Sequence, residues 1–195
     1  FELVKESMAL IDTELAVNIY EKMSSTSQSS GGSAANTMTG ITSLGGSAAY
    51  IGKVRKDSLG EFFIQDIHNA KVHYSLDPAP NGLPTARSMI IVTPDGARTM
   101  NTYLGISTTL YKEDLDIEVL ENSKVLYCEG YIWDIEATKE TIRSAMAIAK
   151  GAGRKISFTL SDSFCVLRHH QDWIDLVNGP IDILFGNEEE IQALS

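Results

Sequence analysis

Residues Lys124 to Leu160 read KVLYCEGYIWDIEATKETIRSAMAIAKGAGRKISFTL, and the class of fold follows from them. The pattern predicts a strand over Lys124 to Cys128, a helix over Ile135 to Lys150 and a second strand over Lys155 to Leu160. Gly151-Ala152-Gly153 marks the turn from the helix into the second strand. A strand, a helix and a strand in this order predict parallel strands joined by a right-handed crossover.

The same alternation continues in both directions along the chain. A helical stretch around His169 to Val177 and a strand over Ile181 to Phe185 follow. Earlier, the pattern predicts a short strand over Ala48 to Ile51 and a helix from Ser58 to about Asn69, and Asp12 is placed to cap another helix. These elements predict an α/β fold with a mostly parallel sheet and helices on both of its faces.

One region departs from this alternation. Two β-rich stretches, Arg87 to Thr93 and Arg98 to Tyr103, flank the sequence Pro94-Asp95-Gly96-Ala97. An Asp-Gly pair between two strands is typical of a hairpin. The region therefore predicts a small antiparallel β appendage to the main sheet.

Composition narrows the class of protein. The 195 residues carry a formal net charge of −10, which argues against a nucleic-acid partner. With 43% hydrophobic residues, the chain can bury a core. The two cysteines cannot form a disulfide framework, and no apolar run approaches the roughly 20 residues of a membrane span. We therefore expect a cytoplasmic protein without a membrane partner.

A glycine pair, Gly31-Gly32, precedes a helix that is predicted to begin at Ser33. Glycines let backbone amides approach a ligand closely, and a helix N-terminus favours an anion or a hydroxyl-rich group. Asn36, about one turn into the helix, has an amide that both donates and accepts hydrogen bonds toward a polyol. The alternative is a tight turn whose small residues serve only close packing.

Asn187 and Glu190 lie three residues apart, directly after the strand that ends at Phe185-Gly186. Ligands of open α/β sheets bind at this edge, and oxygen donors suit a hydrated Mg²⁺. The alternative is that the acidic residues 188–190 only complement the helix dipole.

Three separate blocks of sequence resemble the ribokinase-like (PfkB) carbohydrate kinases, and adenosine kinases most closely within that family. They are Gly31-Gly32-Ser33-Ala34-Ala35-Asn36-Thr37, the stretch from Gly45-Gly46 to Val54 with Asp57 and Gly60, and Asp182-Ile183-Leu184-Phe185-Gly186-Asn187-Glu188-Glu189-Glu190. The resemblance implies that residues 1–195 are part of one Rossmann-like kinase domain. It also implies a small β-sheet lid contributed by about residues 22–30 and 85–104.

The activity that the resemblance implies is ATP-dependent phosphoryl transfer to the primary hydroxyl of a ribonucleoside, with adenosine as the first candidate. ATP is then the co-substrate and Mg²⁺ the cofactor, and the protein is a monomer or a homodimer. A kinase of the ribokinase or fructokinase type, acting on a free sugar, is an alternative. A non-catalytic protein that binds a nucleoside or a sugar is another.

The resemblance also implies a role for individual residues. The hydroxyls of the sugar or ribose are held by the helix start, and Ile132 stands where adenosine kinases place an aromatic wall for adenine. Arg98 matches a lid arginine that approaches the ATP phosphates, with a solvated surface charge as its alternative. Asn187 and Glu190 match an N-x-x-E element that organises Mg²⁺ through water. The residues of the helix start are Gly31, Gly32, Ser33 and Asn36.

The family's catalytic aspartate and most of its ATP-binding segment have no counterpart in this sequence. By the resemblance, both are expected after Ser195, and the strand with another substrate-binding aspartate is expected before Phe1. We therefore expect the chain to be the middle portion of a longer kinase and to be catalytically incomplete by itself.

Overall fold

The computed structural model describes residues 3–24 and 26–195. Within these residues the strands are β1 (Met8–Leu10), β2 (Arg87–Val92), β3 (Arg98–Tyr103), β4 (Val125–Glu129), β5 (Lys155–Thr159) and β6 (Ile183–Phe185). The α-helices are α1 (Thr13–Lys22), α2 (Ser33–Ser43), α3 (Ser58–Asn69), α4 (Ile117–Asn122), α5 (Glu136–Gly151), α6 (Ser163–Arg168), α7 (His170–Asn178) and α8 (Glu188–Leu194). Short 3₁₀ helices cover Gly105–Thr109, Lys112–Asp114 and Gly130–Asp134.

The chain divides into two units, each made of three segments. The first unit consists of Phe1–Ser30, Gly52–Asp66 and Asp77–Ser107. The second unit consists of Gly31–Ile51, Ile67–Leu76 and Thr108–Ser195. That residues 1–195 belong to a single kinase domain remains a prediction.

The second unit is built on a parallel sheet with the strand order β4-β5-β6. The central strand β5 is covered along most of its length, which is the pattern of a parallel strand packed on both faces. Phe158 of β5 meets the rings of Trp133 and Trp173 edge to face, with centroids 5.8 and 5.1 Å apart. The predicted α/β class with a parallel sheet is therefore confirmed.

The first unit contains a three-stranded sheet with the order β1-β3-β2. Strands β2 and β3 form the predicted antiparallel hairpin, with Val92 opposite Arg98 and Arg87 opposite Tyr103. Gly96 in the connecting turn has φ of 83°, a conformation that favours glycine. Strand β1 pairs in parallel with β3 and was not predicted from the sequence.

Several predicted elements need correction. The predicted strand over Ala48 to Ile51 is only an isolated bridge, from Ala49 to His73. The strand predicted over Ile181 to Phe185 begins only at Ile183, and α4 and α6 were not predicted. The helical stretch predicted around His169 to Val177 is found as α7.

In the predicted lid stretch 22–30, residues 23, 24 and 26–30 form neither helix nor strand, so these described residues add no strand to the sheet. Ser25 lies outside the described residues. The third strand of this sheet comes from β1 instead. The lid function of residues 22–30 and 85–104 stays a prediction.

Asp57 ties the beginning of α3 to the segment before β2, inside the first unit. Its carboxylate accepts hydrogen bonds from the hydroxyl and backbone N–H of Thr85, at 2.7 and 3.0 Å, and from the backbone N–H of Gly60 at 2.9 Å. Burial opposes the charged carboxylate, but these hydrogen bonds outweigh burial and hold the pKa of Asp57 below its usual value. The ionised form is therefore the one that stabilises the fold.

We expect Asp57→Asn to lower the free energy of unfolding by about 1 to 2 kcal/mol at pH 7. Because the folded-state pKa is lowered, this stabilisation is present above the unfolded pKa of about 4 and is lost as the pH falls through the folded value. Urea unfolding at pH 7 and pH 3 checks whether the stability difference between wild type and variant shrinks at the lower pH. The exposed Asp77, changed to asparagine, is the control. A deficit of equal size at both pH values contradicts the assignment.

Helices long and apolar enough to cross a membrane are absent from the part of the chain that the structure describes.

Candidate functional site

The candidate site lies at the carboxyl edge of the parallel sheet in the second unit. Strands β4, β5 and β6 end there at Glu129, Thr159 and Phe185. Because the strands are parallel and in register, the residues that follow them share one edge of the sheet. Open α/β sheets bind their ligands at this edge.

The N-terminus of α2 supplies the glycine-led turn. Gly32 is the residue before the first helical turn and has φ of 105°, so a side chain at this position would be strained. Gly31, Gly32 and Ser33 are exposed, and Asn36 presents an exposed side chain one turn further along the helix. The predicted helix start is confirmed, while its role in binding stays a prediction.

Glu129 faces this helix start and is 8% exposed. The Ser33 hydroxyl donates a hydrogen bond to Oε2 of Glu129, and the Tyr127 hydroxyl donates one to Oε1 at 3.2 Å. The contact brings residues 96 positions apart together, so the helix start and the end of β4 form one arrangement. A carboxylate beside an exposed helix start can accept hydrogen bonds from ligand hydroxyls.

Burial and the negative charge of Glu129 raise the pKa of three neighbouring side chains. Burial raises the pKa of Tyr50 to about 12 and that of Cys128 to about 12, and Glu129 adds to both shifts. The pKa of Tyr127 is raised in the same way, first by burial and then by Glu129. These three groups therefore keep their protons at neutral pH.

The chain at the end of β4 is held tightly against the end of β5. The Ser161 hydroxyl accepts hydrogen bonds from the backbone N–H groups of Gly130 and Tyr131, at 2.7 and 3.3 Å. Ser161 has φ of 70°, which is uncommon for a residue with a side chain. A Cβ on Gly130 would lie 2.4 Å from the carbonyl oxygen of Leu160, so only glycine fits there.

Ile132 is partly buried and packs against the core of the second unit. The neighbouring Tyr131 is the exposed aromatic residue at this strand end, and its hydroxyl donates to the Ser161 carbonyl at 3.0 Å. Burial raises the pKa of Tyr131, and the charges of Asp162, Glu129 and Glu190 raise it further. Carboxylates at or beyond the ends of all three strands therefore lie within electrostatic reach of Tyr131.

Asn187 and Glu190 form a capping box at the start of α8. The Asn187 side chain accepts from the Glu190 backbone N–H at 2.8 Å, and Glu190 accepts from the Asn187 backbone N–H at 3.1 Å. The Asn187 amide also donates to Glu190 at 2.9 Å. Both side chains thus cap the start of α8, and their role toward Mg²⁺ stays a prediction.

Asn187 and Glu190 offer oxygen atoms, which are the ligands that Mg²⁺ prefers. Among the described residues, no group of three histidine, cysteine, aspartate or glutamate side chains could hold a metal ion directly. Glu190 is 7% exposed, and each of its oxygens still has a free lone pair beside its hydrogen bond. The residues fit a hydrated ion held through water, which is the usual state of Mg²⁺ next to phosphates.

Arg98 belongs to the first unit. It begins β3 opposite Val92 and is exposed. A role of Arg98 in contacting the ATP phosphates remains a prediction.

Glu129, Tyr127 and Ser161 were not identified as site residues from the sequence. The available signal is the strand VLYCE, in which an acidic residue ends an otherwise apolar run. Its partner Ser33 is too distant in sequence for that signal to reveal the pair.

A parallel sheet with polar groups gathered beyond its carboxyl ends is typical of α/β proteins that bind small molecules at a sheet edge. Comparison with known sequences narrows this class of α/β proteins to one family. Residues 4–195 match the family model described as pfkB family carbohydrate kinase. The chain therefore belongs to the pfkB family, and the resemblance seen in its three sequence blocks is confirmed.

Similar solved structures agree with this result. An adenosine kinase from Sinorhizobium meliloti is 48% identical with a TM-score of 0.90, over 98% of this chain and 59% of that one. A probable sugar kinase from Rhizobium etli is 47% identical with a TM-score of 0.91, over 99% and 59%. The chain thus spans 59% of the length of each of these two relatives, which is less than two thirds.

Among curated proteins, probable fructokinase-6 of Arabidopsis thaliana, described as chloroplastic, is 30% identical over 130 residues. The match covers 66% of this chain and 34% of that protein.

Proposed function

We propose that the protein is an ATP-dependent kinase that transfers a phosphoryl group to the primary hydroxyl of a ribonucleoside, with adenosine as the first candidate. The observation that carries this proposal is the contact between Ser33 at the exposed start of α2 and the buried Glu129 at the end of β4. A ribose or sugar placed there meets backbone N–H groups on one side and a carboxylate on the other.

Two observations bear on the acceptor. Similarity to the Sinorhizobium meliloti adenosine kinase supports a nucleoside, and the exposed ring of Tyr131 offers a surface on which a base can stack. Similarity to the Rhizobium etli probable sugar kinase, at nearly the same identity, supports a free sugar as the second candidate. Both acceptors use the same helix start and the same carboxylate.

The remaining roles complete the proposal. Arg98 would contact the ATP phosphates, and Asn187 and Glu190 would position a hydrated Mg²⁺. A bound Mg²⁺ would neutralise the charge of the ATP phosphates. The catalytic aspartate is proposed to lie outside these 195 residues, the protein to be cytoplasmic, and its assembly to be monomeric or homodimeric.

Release of ADP by the complete gene product, with ATP and Mg²⁺, tests the proposed function. Adenosine, ribose and fructose are supplied in turn as acceptors. Turnover that depends on adenosine supports the nucleoside kinase, and turnover only with a sugar replaces the substrate but keeps the reaction. Absence of turnover with every acceptor, together with retained ligand binding, favours the non-catalytic binding protein instead.

Asn36→Ala is expected to weaken acceptor binding about tenfold, because the Asn36 amide would lose its hydrogen bonds to ligand hydroxyls. Alanine is a better helix former than asparagine, so α2 stays intact in the variant. Calorimetric titration with adenosine and ribose checks the binding. Thr39→Ala, on the same helix and equally exposed, is the matched control. Equal affinity in the two variants contradicts the role of Asn36.

A further inference from the structure

Among the described residues of the first unit, three buried side-chain atoms lack hydrogen-bond partners: one is Nε of Arg55, and the other two lie on adjacent strands. The pair on adjacent strands consists of Nε of Arg87, in β2, and the hydroxyl oxygen of Tyr103, in β3. Tyr103 is only 6% exposed, so bulk water cannot compensate its hydroxyl. Native proteins leave few such groups unpaired, and an unpaired pair on neighbouring strands calls for an explanation such as a bound ion.

The strand register places the two side chains together. Arg87 and Tyr103 are direct partners in the antiparallel ladder, so both side chains leave the same face of the sheet. The Tyr103 ring packs on that face with Ala16 and Ile19 of α1. From the same helix, the ring of Tyr20 lies 5.7 Å from the Arg87 guanidinium carbon and borders the guanidinium on one side.

The second observation concerns the positive charge of Arg87. Among the residues that the structure describes, no carboxylate forms an ion pair with Arg87. A guanidinium has only donors, and the Tyr103 hydroxyl can donate as well. The group that satisfies both must accept several hydrogen bonds and carry negative charge. Carboxylates and phosphates meet these requirements, and they bind arginine with two parallel hydrogen bonds.

We propose that Arg87 and Tyr103 form a binding site for a small oxyanion, a carboxylate or a phosphate group, on the face of the sheet that α1 covers. This site is separate from Arg98, which the proposed function assigns to ATP. Arg98 and Tyr103 lie five residues apart on β3, so their side chains leave opposite faces, about 17 Å apart along the strand. An anion here would link α1 to the hairpin without contacting Arg98.

Thermal unfolding and calorimetric titration with inorganic phosphate and with malonate test this site, and chloride at matched ionic strength gives the baseline. We expect at least one of the two anions to bind saturably and to raise the melting temperature. Binding of phosphate would show that the site takes a phosphate group, and binding of malonate would show that it takes a carboxylate. Because phosphate also stabilises proteins through exclusion from their surface, the difference between wild type and variant is the decisive quantity.

Arg87→Met is expected to weaken binding at least tenfold. Tyr103→Phe is expected to weaken it about threefold and, without anion, to unfold at the same temperature as the wild type or higher, since it removes an unpaired hydroxyl. Lys124→Met removes one exposed positive charge and is expected to bind as the wild type does. Absence of saturable binding in the wild type overturns the site. Equal binding in wild type and Tyr103→Phe does so even if Arg87→Met fails to fold.

Discussion

Replacing Glu129 by glutamine is expected to weaken acceptor binding about 10- to 100-fold. A carboxylate accepts at both oxygens, whereas the glutamine amide has a single oxygen left to accept from Ser33, Tyr127 and a ligand hydroxyl. Hydrogen bonds to a charged group contribute about 1.5 to 3 kcal/mol each, and tenfold in affinity corresponds to about 1.4 kcal/mol. Calorimetric titration with adenosine and with ribose measures the loss.

A second readout separates binding from folding. If the variant keeps its fold, absorbance titration finds the pKa of Tyr50 below its wild-type value, because burial still raises it but Glu129 no longer does. Glu140→Gln, which changes an exposed glutamate on α5, is the matched control and should bind as the wild type does. Unchanged acceptor affinity in Glu129→Gln, with a lowered tyrosine pKa, removes Glu129 from the site.

Gly130→Ala is expected to lower the free energy of unfolding by about 3 kcal/mol. The added methyl group would lie 2.4 Å from the carbonyl oxygen of Leu160, a distance that real Cβ atoms essentially never show. Neither backbone segment yields easily, because the Ser161 hydroxyl bonds the N–H of Gly130 at 2.7 Å. Calorimetry should find a melting temperature lowered by about 10 °C.

Gly151→Ala is the control for this prediction. Gly151 ends α5, and a Cβ there meets nothing within 4 Å. Alanine favours the helix over glycine by up to about 1 kcal/mol, so the variant should be as stable as the wild type or slightly more stable. If the two variants are equally stable, the close contact at Gly130 is not a constraint on the fold.

The parts of the fold predicted well are those in which hydrophobic periodicity coincides with burial. The helix predicted over Ile135 to Lys150 is found over Glu136–Gly151, and the hairpin strands agree within one residue. Short elements lack such a signal. Strand β1 has three exposed residues, and α6 has only six, so neither shows a periodic pattern.

The site was predicted where a local signal exists and missed where the signal is tertiary. Gly31-Gly32 before a run of small residues indicates a helix start by itself, and α2 begins there. Asn187 and Glu190 were recognised as a pair, but the reciprocal hydrogen bonds of their capping box are visible only in three dimensions. Glu129 needs its distant partner Ser33 before its place in the site becomes apparent.

The pairing of β1 with β3 has a consequence for biosynthesis. Met8 lies opposite Met100, so β1 emerges from the ribosome about 90 residues before its partner strand. At a translation rate of about 5 to 20 residues per second, the nascent segment waits about 5 to 20 seconds. The exposed Met8 and Leu10 remain unpaired during that interval, so the sheet of the first unit is completed only after residues 98–103 have been made.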